Sequence, residues 1–381
     1  MSNFLGTIFS APGFYVALHL VMLEMVMMET VCQAAPIVEL SVPGKTYQGL
    51  NVAHNAEFCW LAARDGTYER VDLAKVTSFR KAGTEFRGQT PASLAGELRE
   101  SLGRKFEVRT RGHFITCAPA GQAALYADLV VSVESSFNSY FSRRGWQLAN
   151  SPFPLVVIVY PNRIDFDQAC LTMGMQPAPY LRGFYHPQTN RVSLYDQSAG
   201  IEISKSVASN RTGPSVIHDA TRAVIIHETI HQLAFNSGLH QRAGENPRWV
   251  VEGLATMLEA GALDSTVRSD SSSRVNVERL QHFQEYRAKR RTGSIVDLVQ
   301  DDEKLFQSAP LDFYSEAWAL TFYLSESRRP DYVKYLKRIA SRDPLKSPYS
   351  PDERLADLQH VFGKDLRWLE TQFLRFIDKL E

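Results

Sequence analysis

Two histidines four residues apart, with a glutamate beside the first, carry the chemistry of this chain. They stand in Ala223-Val224-Ile225-Ile226-His227-Glu228-Thr229-Ile230-His231-Gln232-Leu233, an H-E-x-x-H sequence. Side chains at i and i+4 share one helix face, so His227 and His231 can aim two ring nitrogens at one cation. Glu228 then falls beside that cation rather than on it, where a carboxylate can take a proton from metal-held water. A catalytic zinc also needs a third protein ligand and an open fourth position. Glu252, in Trp249-Val250-Val251-Glu252-Gly253-Leu254-Ala255-Thr256, is our choice for the third. Thr256 lies at i+4 from Glu252, where its hydroxyl can orient that ligand. The expected cofactor is one Zn²⁺ per chain.

Two helices must position these groups. Pro214 suits the first turn of one, where its missing N–H costs nothing. The stretch Ala223 to Phe235 is apolar except at the motif and Gln232, so this helix is expected to be mostly buried. Asn236-Ser237-Gly238 is its stop signal. For the second helix, Asn246 reads as the N-cap, Pro247 as the residue just inside, and Gly261 as the end. Two buried imidazoles and a carboxylate with no metal would be costly. The extended H-E-x-x-H-x-x-G-x-x-H arrangement needs a glycine at position 234 and a histidine at position 237, where this chain has Ala234 and Ser237. His240 reads as a loop histidine rather than a ligand.

H-E-x-x-H followed by W-x-x-E-G-x-A-T resembles the gluzincin group of metallopeptidases, which includes thermolysin and aminopeptidase N. Within that group the chain looks most like an uncharacterised bacterial family of secreted presumed peptidases, from about Phe106 to the C-terminus. The resemblance implies His227, His231 and Glu252 as zinc ligands and Glu228 as general base. It extends to Tyr314-Ser315-Glu316-Ala317, similar to the Y-x-x-G/A helix that carries the transition-state tyrosine of aminopeptidase N-like enzymes. Tyr314 is therefore the expected oxyanion donor. The G-x-M-E-N motif that binds the substrate amine in aminopeptidases is absent. The implied fold is a zincin-like domain, and the implied partner is a peptide or protein substrate.

The 381 residues allow two domains or one large one. Lys plus Arg equals Asp plus Glu at 42 each, so charge gives no sign of a nucleic-acid partner. Phe14 to Val31 is apolar, interrupted by Glu24 and Glu29, and small residues follow at Cys32 and Ala34. Residues 1–35 read as a signal peptide or a membrane anchor, although no lysine or arginine precedes Lys45. Export to the periplasm, cell envelope or extracellular space is expected, with membrane association only through this segment. The four cysteines, Cys32, Cys59, Cys117 and Cys170, make no disulfide-rich scaffold and allow at most one bridge after cleavage.

Residues 36–90 read as a small β module, either an SH3-like barrel or a β-rich extension. Its strand-like runs are Val38–Val42, Phe58–Ala62 and Val71–Val76, with Arg64-Asp65-Gly66-Thr67 as a hairpin turn. Residues 91–381 read as the peptidase domain. Pro91 to Arg104 predicts an amphipathic helix with Leu94, Leu98 and Leu102 on one side. A hairpin around Arg111-Gly112 and a long helix from Ala123 to Arg144 follow. Pro154 to Tyr160 reads as a buried strand. Gly183 to Tyr195 contains two strands; the resemblance implies an edge strand beside the zinc, and Arg191–Leu194 is the expected one.

Beyond Ser265–Ser273, a polar loop, the chain reads as helices at Glu278–Arg291, Phe313–Ser325, Tyr332–Ile339 and Leu355–Leu380. The basic residues Arg287, Lys289, Arg290 and Arg291 are expected on a solvated face. The whole pattern is α+β, with a mostly helical C-terminal half. A zinc-dependent peptidase is the expected function. The alternatives are a non-catalytic binding protein on a zincin scaffold and a zinc hydrolase of a non-peptide amide.

Overall fold

The computed structural model describes residues 37–83, 85–197, 217–259 and 275–380. The expectations for residues 1–35, Pro214, Gly261 and Ser265–Ser273 lie outside them. The chain divides into a unit ending at Gly88 and a unit beginning at Gln89. Among the described residues no helix is long and apolar enough to cross a membrane.

The first unit is one antiparallel sheet of five strands: β1 (Ile37–Val42), β2 (Lys45–His54), β3 (Phe58–Ala62), β4 (Tyr68–Asp72) and β5 (Ser78–Gly83). Their order is β4-β3-β2-β1-β5. Alternation builds the core, because every second residue of a strand faces one side. Val38 and Leu40, Cys59 and Leu61, and Val71 and Leu73 are buried together. The expected hairpin turn joins β3 to β4, with Gly66 at φ 91°. The expected strand Val71–Val76 is corrected. Asp72 accepts the Ala74 N–H at 3.0 Å and turns the chain into a short 3-10 segment. β2 and β5 escaped sequence reading because neither strand buries an alternating apolar set.

The second unit is α+β. Its helices α1 (Pro91–Leu102), α2 (Ala123–Ser142) and α3 (Arg163–Thr172) are interleaved with five strands. These are β6 (Phe106–Arg111), β7 (Phe114–Pro119), β8 (Leu155–Tyr160), β9 (Gly183–His186) and β10 (Arg191–Tyr195). The sheet order is β6-β7-β8-β10-β9. β7, β8 and β10 are parallel, while β6 and β9 run antiparallel at the edges. β8 is apolar throughout because it is covered on both faces. Val156 and Ile158 pack with Leu94 and Leu98 of α1, and Leu155, Val157 and Val159 join the main core. Cys59, Cys117 and Cys170 are buried free thiols, and burial pushes the first two up to about 12.

The position expected for the edge strand is corrected. Arg191–Leu194 lies in β10, which is flanked by β8 and β9; the edge belongs to β9. The alternation of Val192 and Leu194 with polar neighbours marks a strand but says nothing about how many neighbours it pairs with.

Nine helices follow among the described residues. They are α4 (Asp219–Asn236), α5 (Arg248–Glu259), α6 (Val277–Tyr286), α7 (Ser294–Gln300) and α8 (Asp302–Ser308), then α9 (Pro310–Ser327), α10 (Arg329–Ala340), α11 (Pro351–Phe362) and α12 (Leu366–Ile377). α9 is the central column, with every residue from Ser315 to Ser325 buried. Gly253 lets α5 approach it. A Cβ there would lie 2.6 Å from the Ala317 carbonyl oxygen and 2.3 Å from Thr321 Oγ1.

Three further expectations are corrected. The last predicted helix is split, because Gly363 at φ 94° ends α11 before α12 begins. Asn246 does not cap α5. Its side chain bonds both backbone groups of Gln241, and Asp302 accepts the Trp249 N–H at 3.2 Å. Arg290 is no solvated residue. It is buried between Glu316 at 2.6 Å and Glu370 at 2.8 Å. A run of basic residues reads as a surface until the acids from α9 and α12 are folded against it.

Candidate metal centre

The site is built where α4 crosses α5. α4 starts at His218, whose ring accepts the Ala220 N–H, and ends at Gly238 with φ 83°, as the stop signal predicts. Its buried side, including Ile225, Ile226, Thr229 and Ile230, anchors it in the main core. The opposing turns present His227 and His231 to Glu252 on α5.

The Nε2 atoms of His227 and His231 are 3.1 Å apart. Glu252 Oε2 lies 3.5 Å from the first and 3.6 Å from the second. Zinc bonded to such ligands at about 2.0–2.1 Å in a tetrahedron separates them by about 3.3–3.4 Å. The triangle matches that spacing. Glu252 Oε2 is also buried without a hydrogen-bond partner. Buried polar atoms without partners are rare and call for an ion or water. The donor set, two imidazoles and one carboxylate, suits zinc. Among the described residues this is the single group of three His, Cys, Asp or Glu side chains close enough to hold a metal.

The electrostatics agree with a cation site. Burial opposes a charged His227, but the carboxylates of Glu252 and Glu259 beside it hold its pKa well above the ordinary value. Burial likewise opposes an ionised Glu252, and the two histidines outweigh it and lower the carboxyl.

Glu228 is close to the triangle but not a member of it. Its Oε2 accepts the backbone N–H of Tyr185, on the edge strand β9, at 2.8 Å. Burial raises its pKa, while the charges of His227 and His231 work against that. β9 is tied to α4 in turn. Tyr185 Oη donates to Asn190 Oδ1 at 3.0 Å, Asn190 Nδ2 donates to Asn236 Oδ1 at 3.0 Å, and Gln232 Nε2 donates to the Asn190 carbonyl at 2.8 Å. Asn190 sits in the turn before β10 at φ 59°, a conformation asparagine tolerates better than most residues.

Tyr314 lies in the same neighbourhood. Burial first, and then the charges of Glu252 and Glu228, raise its phenol. Its hydroxyl makes no hydrogen bond among the described residues, and its ring packs on Phe306 and Phe313. Thr256 is placed differently from expectation. Its hydroxyl donates to the backbone carbonyl of Glu252, not to the carboxylate. That is the usual back-bond of a threonine inside a helix. His240 is buried outside the ligand triangle, with burial pushing its pKa down to about 3.

Sequence reading missed Glu259. Its Oε2 is 2.8 Å from His227 Nδ1, and Asn276 Nδ2 donates to its Oε1 at 3.3 Å. The signal was present, since Glu259 is seven residues after Glu252 and so returns to the same face of α5. The Tyr185 amide left no signal, because any residue but proline supplies one. A cleft of about 450 Å³ opens from His231 and Glu252 and is walled in part by Tyr185, Pro187, Phe235 and Val251.

The fold and site together define an α+β protein with a buried His–His–Glu cluster. Residues 221–346 match a family described as a protein of unknown function, DUF1570. That stretch contains His227, Glu228, His231, Glu252, Glu259 and Tyr314. No curated protein matches the chain.

Proposed function

We propose that this protein is an exported zinc-dependent peptidase with a zincin-like catalytic domain. The observation that carries the proposal is the triangle of His227, His231 and Glu252, with Glu228 held next to it by the edge strand. A zinc ion bound there supplies Lewis acidity and acidifies water toward a pKa of about 7.

The chain's own groups do the rest. Glu228 accepts a proton from the attacking water and returns it to the leaving amine. The Tyr185 N–H fixes one Glu228 oxygen and leaves the other for that transfer. Tyr314 donates a hydrogen bond to the carbonyl oxygen as charge develops on it. His227 is oriented from behind by Glu259. The cleft beside His231 and Glu252 receives a substrate side chain against Phe235 and Val251.

The test is a mixed peptide library offered to protein lacking residues 1–35, with and without a chelator. Cleavage that stops on chelation and returns with zinc is expected. Zinc-loaded, folded protein that cleaves no peptide would favour the non-catalytic or non-peptide reading instead.

A further inference from the structure

We propose that Arg279 recognises a carboxylate of the substrate, making this a site for peptides that carry a free C-terminus or an acidic side chain near the scissile bond. This rests on the peptidase reading and adds a substrate class to it.

Arg279 is positioned by the framework of the site itself. Asn276 caps α6 by accepting the Arg279 backbone N–H at 3.1 Å. The Asn276 amide also donates to Glu259 Oε1 and to the Thr256 carbonyl, each at 3.3 Å. The first turn of α6 is therefore pinned to the carboxylate that backs His227. From that turn the Arg279 guanidinium reaches to 5.3 Å from the centre of the Tyr314 ring. Arg279, Glu252 and Glu228 all act on the Tyr314 phenol.

A second arginine lies along the same aromatic pair. Arg248 is 4.2 Å over Phe306, whose ring centre is 5.9 Å from that of Tyr314. The two arginines differ in what neutralises them. Arg248 pairs with Glu303 at 2.6 Å. Arg279 pairs with no acidic side chain among the described residues, and its Nε is buried without a hydrogen-bond partner.

The nearby acids are committed elsewhere. Glu252 faces the histidines, Glu228 takes the Tyr185 amide, and Glu259 takes His227 and Asn276. A guanidinium keeps its charge at any working pH. Half-buried and unmatched, it gains from an incoming anion. Its planar fork favours a carboxylate, which accepts two parallel hydrogen bonds. A carboxylate bound there lies on the Tyr314 side of the metal triangle.

The test uses four versions of one cleavable peptide: C-terminal acid or amide, each with Glu or Gln next to the scissile bond. Zinc-loaded wild type, Arg279→Gln and Arg279→Lys are compared in kcat/KM. Wild type should prefer a carboxylate by on the order of 10- to 100-fold, the worth of a charge-assisted hydrogen bond. The acid/amide and Glu/Gln arms show which carboxylate is read. Arg279→Gln should erase the preference while affecting the uncharged peptide far less, and Arg279→Lys should restore part of it. Equal losses on all four peptides, or no preference in wild type, would overturn the proposal. Binding of the same peptides to Glu228→Gln protein, with and without Arg279→Gln, is measured by calorimetry. If wild type cleaves none of them, the peptidase reading falls. Calorimetry then decides the role of Arg279, since carboxylate-dependent binding lost with Arg279→Gln upholds it and its absence rejects it.

Discussion

Glu259 Oε2 sits 2.8 Å from His227 Nδ1, on the same helix as Glu252 and two turns further on. One helix thus supplies both Glu252 and the carboxylate that orients His227 on the neighbouring helix. The contact fixes the His227 ring with Nε2 toward Glu252 and makes that nitrogen a better donor.

Glu259→Ala should therefore weaken zinc binding by about 10- to 100-fold without abolishing it. Competition with a calibrated chelator measures this. Asn276→Ala, which removes the support of Glu259 Oε1, should act in the same direction and by less. Unchanged affinity in Glu259→Ala would mean that the ring is held by packing alone.

Removing a ligand is more severe. His227→Ala, His231→Ala and Glu252→Ala should each lose the metal, because two remaining ligands cannot hold a catalytic zinc tightly. The wild-type protein should carry about one zinc per chain by elemental analysis. Full occupancy in the Glu252→Ala protein would reject the assignment of the third ligand.

The two reacting groups should separate cleanly from the ligands. Glu228→Gln leaves all three ligands in place and keeps an oxygen for the Tyr185 amide, so zinc content and stability should stay near wild type while hydrolysis is lost. Tyr314→Phe keeps the packing on Phe306 and Phe313. It should lower turnover on the order of 10²- to 10³-fold, the usual cost of one oxyanion donor. If turnover is unchanged there, His282, which pairs with Asp312 at 2.8 Å, is the next donor to test.

Away from the site, Arg290→Leu should be strongly destabilising, by about 3–5 kcal/mol, because it leaves Glu316 and Glu370 facing each other in the core. The loss should depend on pH. Burial and the charge of Glu370 both raise the Glu316 carboxyl, and in the variant no guanidinium beside it opposes them. A group whose folded pKa is raised favours the folded state when protonated, below its unfolded value of about 4.3. That stability disappears as pH rises through the raised folded value. Urea melts of the variant should therefore show a smaller deficit in acid than at neutral pH, and a deficit independent of pH would contradict this.

What the sequence determined by itself is what short-range geometry controls. The i, i+4 spacing put His227 and His231 on one face, and Glu228 next to them, whatever the rest of the chain did. The run Leu155–Tyr160 had to be a buried strand, and Ser237-Gly238 had to end the helix, because both follow from local burial and backbone freedom. Glu252 was legible as an acid on the next helical stretch, and its place beside the histidines came from the packing of the two helices. Tertiary structure decided what depends on which elements touch. It brought Glu259 and Asn276 behind His227, aimed the β9 amide at Glu228, and put β9 rather than β10 at the sheet edge. It also buried Arg290, which reads as a surface residue until two acids from distant helices surround it. Strand neighbours, backbone donors and buried ion pairs leave no local pattern, since their partners lie tens of residues away and are fixed only by packing.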